Sequence, residues 1–207
     1  MFGKQTATHK NMALYCIHGA HGARSAPCQS DGMADINVIL VDTEDNELGV
    51  EEKLKAHQNG GKLHRAISVF VFNSEGQTMI QRRAMSKYHS AGQWANTVCS
   101  HPYPGESVLA SAHRRLGEEM GFDCEVSEAF VFPYRADVGH DLTENEYDHI
   151  FFGFYEGEPK PNSEEVMDWK WIGLEELGAD IKANPENYAP WLRLMINKVI
   201  EERKKAE

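Results

Sequence analysis

Apolar and polar positions along the chain fall into blocks that predict strands first and helices between them. Ile36 to Gly49, INVILVDTEDNELG, is an apolar run followed by a polar stretch of Asp, Asn and Gly, which predicts a strand and the turn that opens a β-hairpin. His64 to Arg83 predicts a strand, the turn NSEG and a second strand, with an apolar run from Ala66 to Phe72 and then Met79 and Ile80. Apolar residues on both parities of that run imply a strand covered on both faces, so the sheet needs helices on either side. Gly105 to Gly121 carries the helical pattern: Ser107 as its start, Val108, Leu109, Ala112, Leu116 and Met120 as an apolar stripe, and Gly121 as its stop. Its other face is charged, and Arg114–Glu118 and Arg115–Glu119 stand at i, i+4, where ion pairs contribute about 0.2–0.5 kcal/mol each. Further strands are predicted over 130–136, 150–155 and 166–172. An amphipathic helix from near Pro190 then packs Leu192, Met195, Ile196 and Val199. The expected architecture is α/β (α+β): one domain, residues 33–207, with a mixed sheet between helices.

Ahead of it, residues 1–32 show no sustained periodicity and no acidic residue before Asp31, and are expected to form a disordered leader. Cys16, His18, His21 and Cys28 match no strong zinc template, and a single arginine, Arg24, weakens a transit-peptide reading. At 207 residues the chain suits one domain with a full core. A formal charge of −11, from 21 Lys and Arg against 32 Asp and Glu, would repel a phosphate backbone, so nucleic acid is not an expected partner. A small anionic substrate stays compatible, because a few local cations outweigh a distant field inside a cleft. The four cysteines form no tight pattern, and no apolar run reaches the roughly 18 residues of a membrane span. A cytoplasmic protein, monomeric or weakly dimeric and without membrane association, is expected.

The stretch with the most chemistry is NTVCSHP, Asn96 to Pro102. In an extended backbone residues i and i+2 share a face, so Cys99 and His101 point into one space. His57 and His64 upstream, and Glu144 and Glu146 in ENEYD, could converge there. Three imidazoles and two carboxylates make a nitrogen and oxygen shell suited to manganese, iron, zinc or magnesium. Cys99 is then left over for chemistry. The other histidines, among them His89, His113, His140 and His149, read as ordinary hydrogen-bonded residues.

The helix and its entry are similar to the Nudix box, in the register Ser100, Glu106, Arg114, Arg115, Leu116, Gly117, Glu118, Glu119, Met120, Gly121, Phe122. Ser100 stands where that pattern has glycine and Arg115 where it has glutamate, so the acidic cluster of a diphosphate hydrolase is incomplete. From about Asn37 to about Val199 the chain resembles the type I isopentenyl diphosphate isomerases, a branch of that superfamily. NTVCSHP, ENE at Glu144 to Glu146, the pair His57 and His64, QRRAMSK at Gln81 to Lys87 and FPYRA at Phe132 to Ala136 carry the resemblance, in the family's order.

That resemblance implies interconversion of isopentenyl and dimethylallyl diphosphate by proton transfer. Cys99 and Glu146 would be the acid/base pair, Tyr134 would hydrogen-bond the carboxylate, and Trp191 would form an aromatic wall against the isoprenoid. It also implies a divalent ion such as Mn2+ on His57, His64, His101, Glu144 and Glu146. A second ion, Mg2+ bridging the diphosphate, would lie at Glu119 with the carbonyl of Cys99. Lys53, Arg83, Lys87 and Arg115 would bind the diphosphate. The rivals are a Nudix-type diphosphate hydrolase and a non-catalytic diphosphate-binding protein.

Overall fold

The computed structural model describes residues 37–206, so the expected leader and its cysteines and histidines lie outside the described residues. In chain order the elements are β1 (Asn37–Val41), β2 (Glu47–Glu52), α1 (Lys53–His57), β3 (His64–Phe72), β4 (Gln77–Arg83), β5 (Trp94–Asn96) and β6 (Val98–Ser100). Then follow α2 (Val108–Arg115), which runs into a π-helical turn (Leu116–Met120), β7 (Val126–Gly139), β8 (Leu142–Phe154), β9 (Val166–Gly173), α3 (Leu174–Ala183) and α4 (Pro190–Ala206). The sheet is mixed. β3 is its hub, antiparallel to β1, β4 and β6 and parallel to β8 from His64↔Glu146 to Phe72↔Phe154.

Eight of the nine residues of β3 are buried, as its two-sided apolar pattern requires. Ile67, Val69 and Val71 face α2, where Ala112, Leu116 and Met120 complete one core. Phe70 and Phe72 face α3 and α4, where Leu177, Trp191, Leu192, Met195, Ile196 and Val199 complete the other. Helices therefore cover both faces, as expected. Leu109 departs from expectation: it is 44% exposed, because the buried stripe follows the i+4 ladder Val108, Ala112, Leu116, Met120 and leaves Leu109 off its line.

The Ser107 hydroxyl caps α2 by accepting from the Ala110 amide at 3.2 Å. The π-turn ends at Gly121, φ 72°, where any Cβ would collide with the Lys160 carbonyl. The strands predicted at 130–136 and 150–155 are the middle of β7 and the C-terminal end of β8 in one long hairpin, which turns through left-handed His140 and Asp141. Two helices were not foreseen. α1 is five residues long with no apolar repeat, and α3 carries only Leu177 and Ile181 as buried anchors.

Candidate active site

Strand register brings the chemistry together. In β8, Glu144, Glu146 and Asp148 alternate onto one face; Glu146 lies opposite His64 of β3 and Tyr134 of β7. Ser68, also on that face of β3, pairs with Cys99 of β6. A thiol from one side of β3 and a carboxylate from the other thus project toward the α4 side of the sheet, where Tyr134, Trp191 and Cys99 pack. α1 adds His57, and with it Lys53 one turn earlier; Glu52 caps this helix by accepting from the amides of Leu54 and Lys55.

One nitrogen or oxygen from each of His57, His64, His101, Glu144 and Glu146 lies within 4.8 Å of all the others. His57 Nδ1 donates to the Lys53 carbonyl at 2.7 Å and His64 Nδ1 to the Lys62 carbonyl at 2.8 Å. Those bonds fix both ring orientations and turn both Nε2 atoms inward, which is how metal-ligating imidazoles are held. His64 Nε2 and His101 Nε2 face each other at 3.1 Å, and His101 Nε2 is 2.8 Å from Glu146 Oε1. Two imidazole nitrogens aimed at one point beside two carboxylates fit a divalent cation, so the expected five ligands do converge on a candidate metal site.

Electrostatics separate the protonation states. Burial and the charge of Glu146 push Glu144 upward, but hydrogen bonds from His57 (2.9 Å) and His89 (3.0 Å) outweigh them and hold its pKa at about 2. Burial likewise opposes the charge of Glu146, yet bonds from His64 and Tyr134 bring it to about 2, with the Tyr134 hydroxyl at 2.5 Å. His101 is driven well below the ordinary range, first by burial and then by the Lys53 ammonium, which leaves it neutral. Cys99 is raised to about 12 by burial, despite the Arg83 guanidinium at 3.6 Å, and stays a thiol. Behind them the buried Asp148 is raised well above the carboxylate range by burial and by Glu146; it accepts from the Ser68 hydroxyl at 2.8 Å.

The four expected cations also gather. Lys53 is lowered to about 8, first by burial and then by repulsion from Lys87, with Arg115 and Arg83 adding to it. Arg115 Nη2 reaches Glu119 Oε1 at 2.6 Å and Glu165 Oε2 at 3.3 Å, and Lys87 pairs with the same Glu165. Glu119, expected at a second ion, spends its other oxygen on Gln81 Nε2 at 2.7 Å. Glu106 is forked by Arg114 at 2.8 Å twice. The acids of the Nudix-like register are therefore bound by arginines in this structure.

Trp191 is buried, its Nε1 donating to Asn96 Oδ1 at 3.1 Å, and the guanidinium of Arg83 lies 5.2 Å from its ring. The indole face already attracts a cation. His113 and His149 make ordinary carboxylate contacts, as expected. His89 does more than its single-residue reading allowed, since it holds Glu144, meets Trp191 edge-on at 5.8 Å and offers its carbonyl to Arg83 at 3.2 Å. Tyr88, His89, Gln81 and Glu165 escaped sequence reasoning; the usable signal was that Tyr88 and His89 directly follow Lys87. A cavity of about 430 Å³ opens beside Lys87, Tyr88 and His89, between the tip of the β7–β8 hairpin and the start of α4.

A NUDIX domain model matches residues 62–195. The chain is 53% identical over 163 residues to isopentenyl-diphosphate Delta-isomerase 2 of Aromatoleum aromaticum, covering 79% of this chain and 86% of that protein. It is 47% identical over 157 residues to isopentenyl-diphosphate Delta-isomerase of Serratia proteamaculans, covering 76% and 87%. Among solved structures, a Deinococcus radiodurans protein superposes with a TM-score of 0.66 at 20% identity, covering 78% of this chain and 98% of that one, a likeness of fold. Register, site and relatives agree: the chain belongs to the isopentenyl-diphosphate Delta-isomerase family, built on a NUDIX domain.

Proposed function

We propose that this protein interconverts isopentenyl diphosphate and dimethylallyl diphosphate, with Cys99 and Glu146 as the acid/base pair. One observation carries the assignment: a thiol held neutral and a carboxylate held ionised project from the two strands that flank β3 onto one face of the sheet, beside a cluster of four cations. In the forward direction a proton is added to the terminal alkene carbon and another is lost from the carbon two bonds away, so atoms and charge balance. The intermediate is a tertiary carbocation-like species, which demands exclusion of water and a non-nucleophilic wall. Trp191 supplies that wall and about 0.5–2 kcal/mol of cation attraction. Tyr134 orients the Glu146 carboxylate, while Lys53, Arg83, Lys87 and Arg115 bind the diphosphate.

His57, His64, His101, Glu144 and Glu146 would hold a divalent cation such as Mn2+, whose charge keeps both carboxylates ionised and fixed. Mg2+ bound with the diphosphate would draw Glu119 from its arginine. A hydrolase is disfavoured because Arg115 stands where the Nudix box has a glutamate, which leaves its acidic cluster one carboxylate short, and Glu106 is forked by Arg114.

The test is NMR of isopentenyl diphosphate incubated with the protein and Mn2+ or Mg2+. Appearance of the dimethylallyl isomer supports the assignment; free phosphate points to hydrolysis. Cys99→Ala and Glu146→Gln are each expected to lower turnover by at least about a hundredfold with the fold retained. Near-normal turnover in either removes that residue from the acid/base pair.

A further inference from the structure

The hydroxyl of Tyr88 is buried and has no hydrogen-bond partner. A phenol hydroxyl shut away from water and left unpaired costs stability, so such a group calls for something to donate to. Its surroundings say what. The ring lies 5.5 Å from the Lys53 ammonium and stands edge-on to His57 at 6.1 Å and to His89 at 4.4 Å. Among the charged groups that bear on the hydroxyl are Glu144, Arg83 and Glu146. Tyr88 therefore sits between the histidine and carboxylate cluster and the cations, one residue beyond Lys87, against the cavity that opens there.

A phenol is protonated at neutral pH, so the group is a neutral donor. A diphosphate held on the Lys53 ammonium, 5.5 Å from this ring, would present an anionic oxygen within reach of the hydroxyl. Building on the diphosphate assignment above, we infer that Tyr88 is a substrate-binding residue whose hydroxyl donates to a non-bridging oxygen of the bound diphosphate. The ring, packed against Lys53 and His57, sets the hydroxyl's position before the ligand arrives, which lowers the ordering cost of binding.

The probe is inorganic pyrophosphate, titrated calorimetrically into the full-length protein with Mg2+ present, for wild type and Tyr88→Phe. The phenylalanine keeps the ring and its contact with Lys53 and removes only the donor. A hydrogen bond to a charged oxygen predicts a Kd about tenfold to a hundredfold weaker. KM for isopentenyl diphosphate should rise in step, with kcat changing less, and Tm should hold or increase because no unpaired hydroxyl remains buried. A Kd within twofold of wild type overturns the inference. So does a weaker Kd accompanied by a fall in Tm, which would mark a structural role, or a wild-type protein that does not bind pyrophosphate. A wild type that binds pyrophosphate but yields no dimethylallyl isomer sinks the isomerase assignment alone and leaves this comparison decisive for Tyr88.

Discussion

Lys53 shows how much one residue's surroundings decide. Burial and the neighbouring Lys87, Arg115 and Arg83 bring its ammonium down to about 8, whereas the unfolded chain titrates near 10.4. Between those values the unfolded state binds more protons, so this group's contribution to stability rises with pH through that window and is least favourable below pH 8. Binding runs the other way, since the cation is lost as pH rises through 8. Pyrophosphate affinity is therefore expected to fall from pH 7.5 to 9.5 in the wild type and to stay flatter in Lys53→Arg, measured by calorimetry across that range. The residues that sequence made legible were those whose chemistry showed at short spacing: Cys99 with His101, Glu144 with Glu146, and the cations of QRRAMSK. Glu165, which bridges Lys87 and Arg115, was not legible, because the second of two adjacent glutamates before a strand looks like any surface acid. Tyr88 and His89 were hidden for the same reason, their importance lying in what folds against them.

At the scale of elements, the π-turn after α2 ties several parts of the site together. The amide of Lys160 bonds the Met120 carbonyl at 2.9 Å, and the amide of Asn162 bonds the Glu119 carbonyl at 2.9 Å. The strap so anchored continues through Asn162 to Glu165, and thus to Lys87 and Arg115. Gly121 permits this close approach, being left-handed and in contact with Lys160. Gly121→Ala is expected to cost at least about 1–2 kcal/mol from the backbone conformation alone. The collision adds to that, and both a lower Tm and a higher KM for isopentenyl diphosphate should appear in thermal melts and steady-state assays. Periodicity revealed β3, α2 and α4 because their apolar patterns are long and regular. It missed α1, held by the Glu52 cap rather than by an apolar face, and shortened β7 and β8, whose polar ends pair only with each other or with site residues.

For the whole molecule, an overall charge of −11 coexists with one pocket of four converging cations, so attraction of an anionic substrate is local. No helix among the described residues is long and apolar enough to cross a membrane. The candidate metal ligands come from α1, β3, β8 and the residue that follows β6, and a bound cation would therefore cross-link distant parts of the sheet. Chelation by EDTA is expected to lower Tm, with Mn2+ restoring it. An ion present at a hundred times its Kd is worth about 2.7 kcal/mol. A Tm indifferent to both reagents in the wild type would exclude structural coupling of that ion. The parallel pairing of His64 with Glu146 carries one further consequence for how the protein is made. During translation the imidazoles and the thiol are synthesised well before the carboxylates that complete the cage, so a nascent chain would offer only a partial chelate until β8 leaves the ribosome. Capture of the cation at full strength would then serve as a timestamp for a finished sheet.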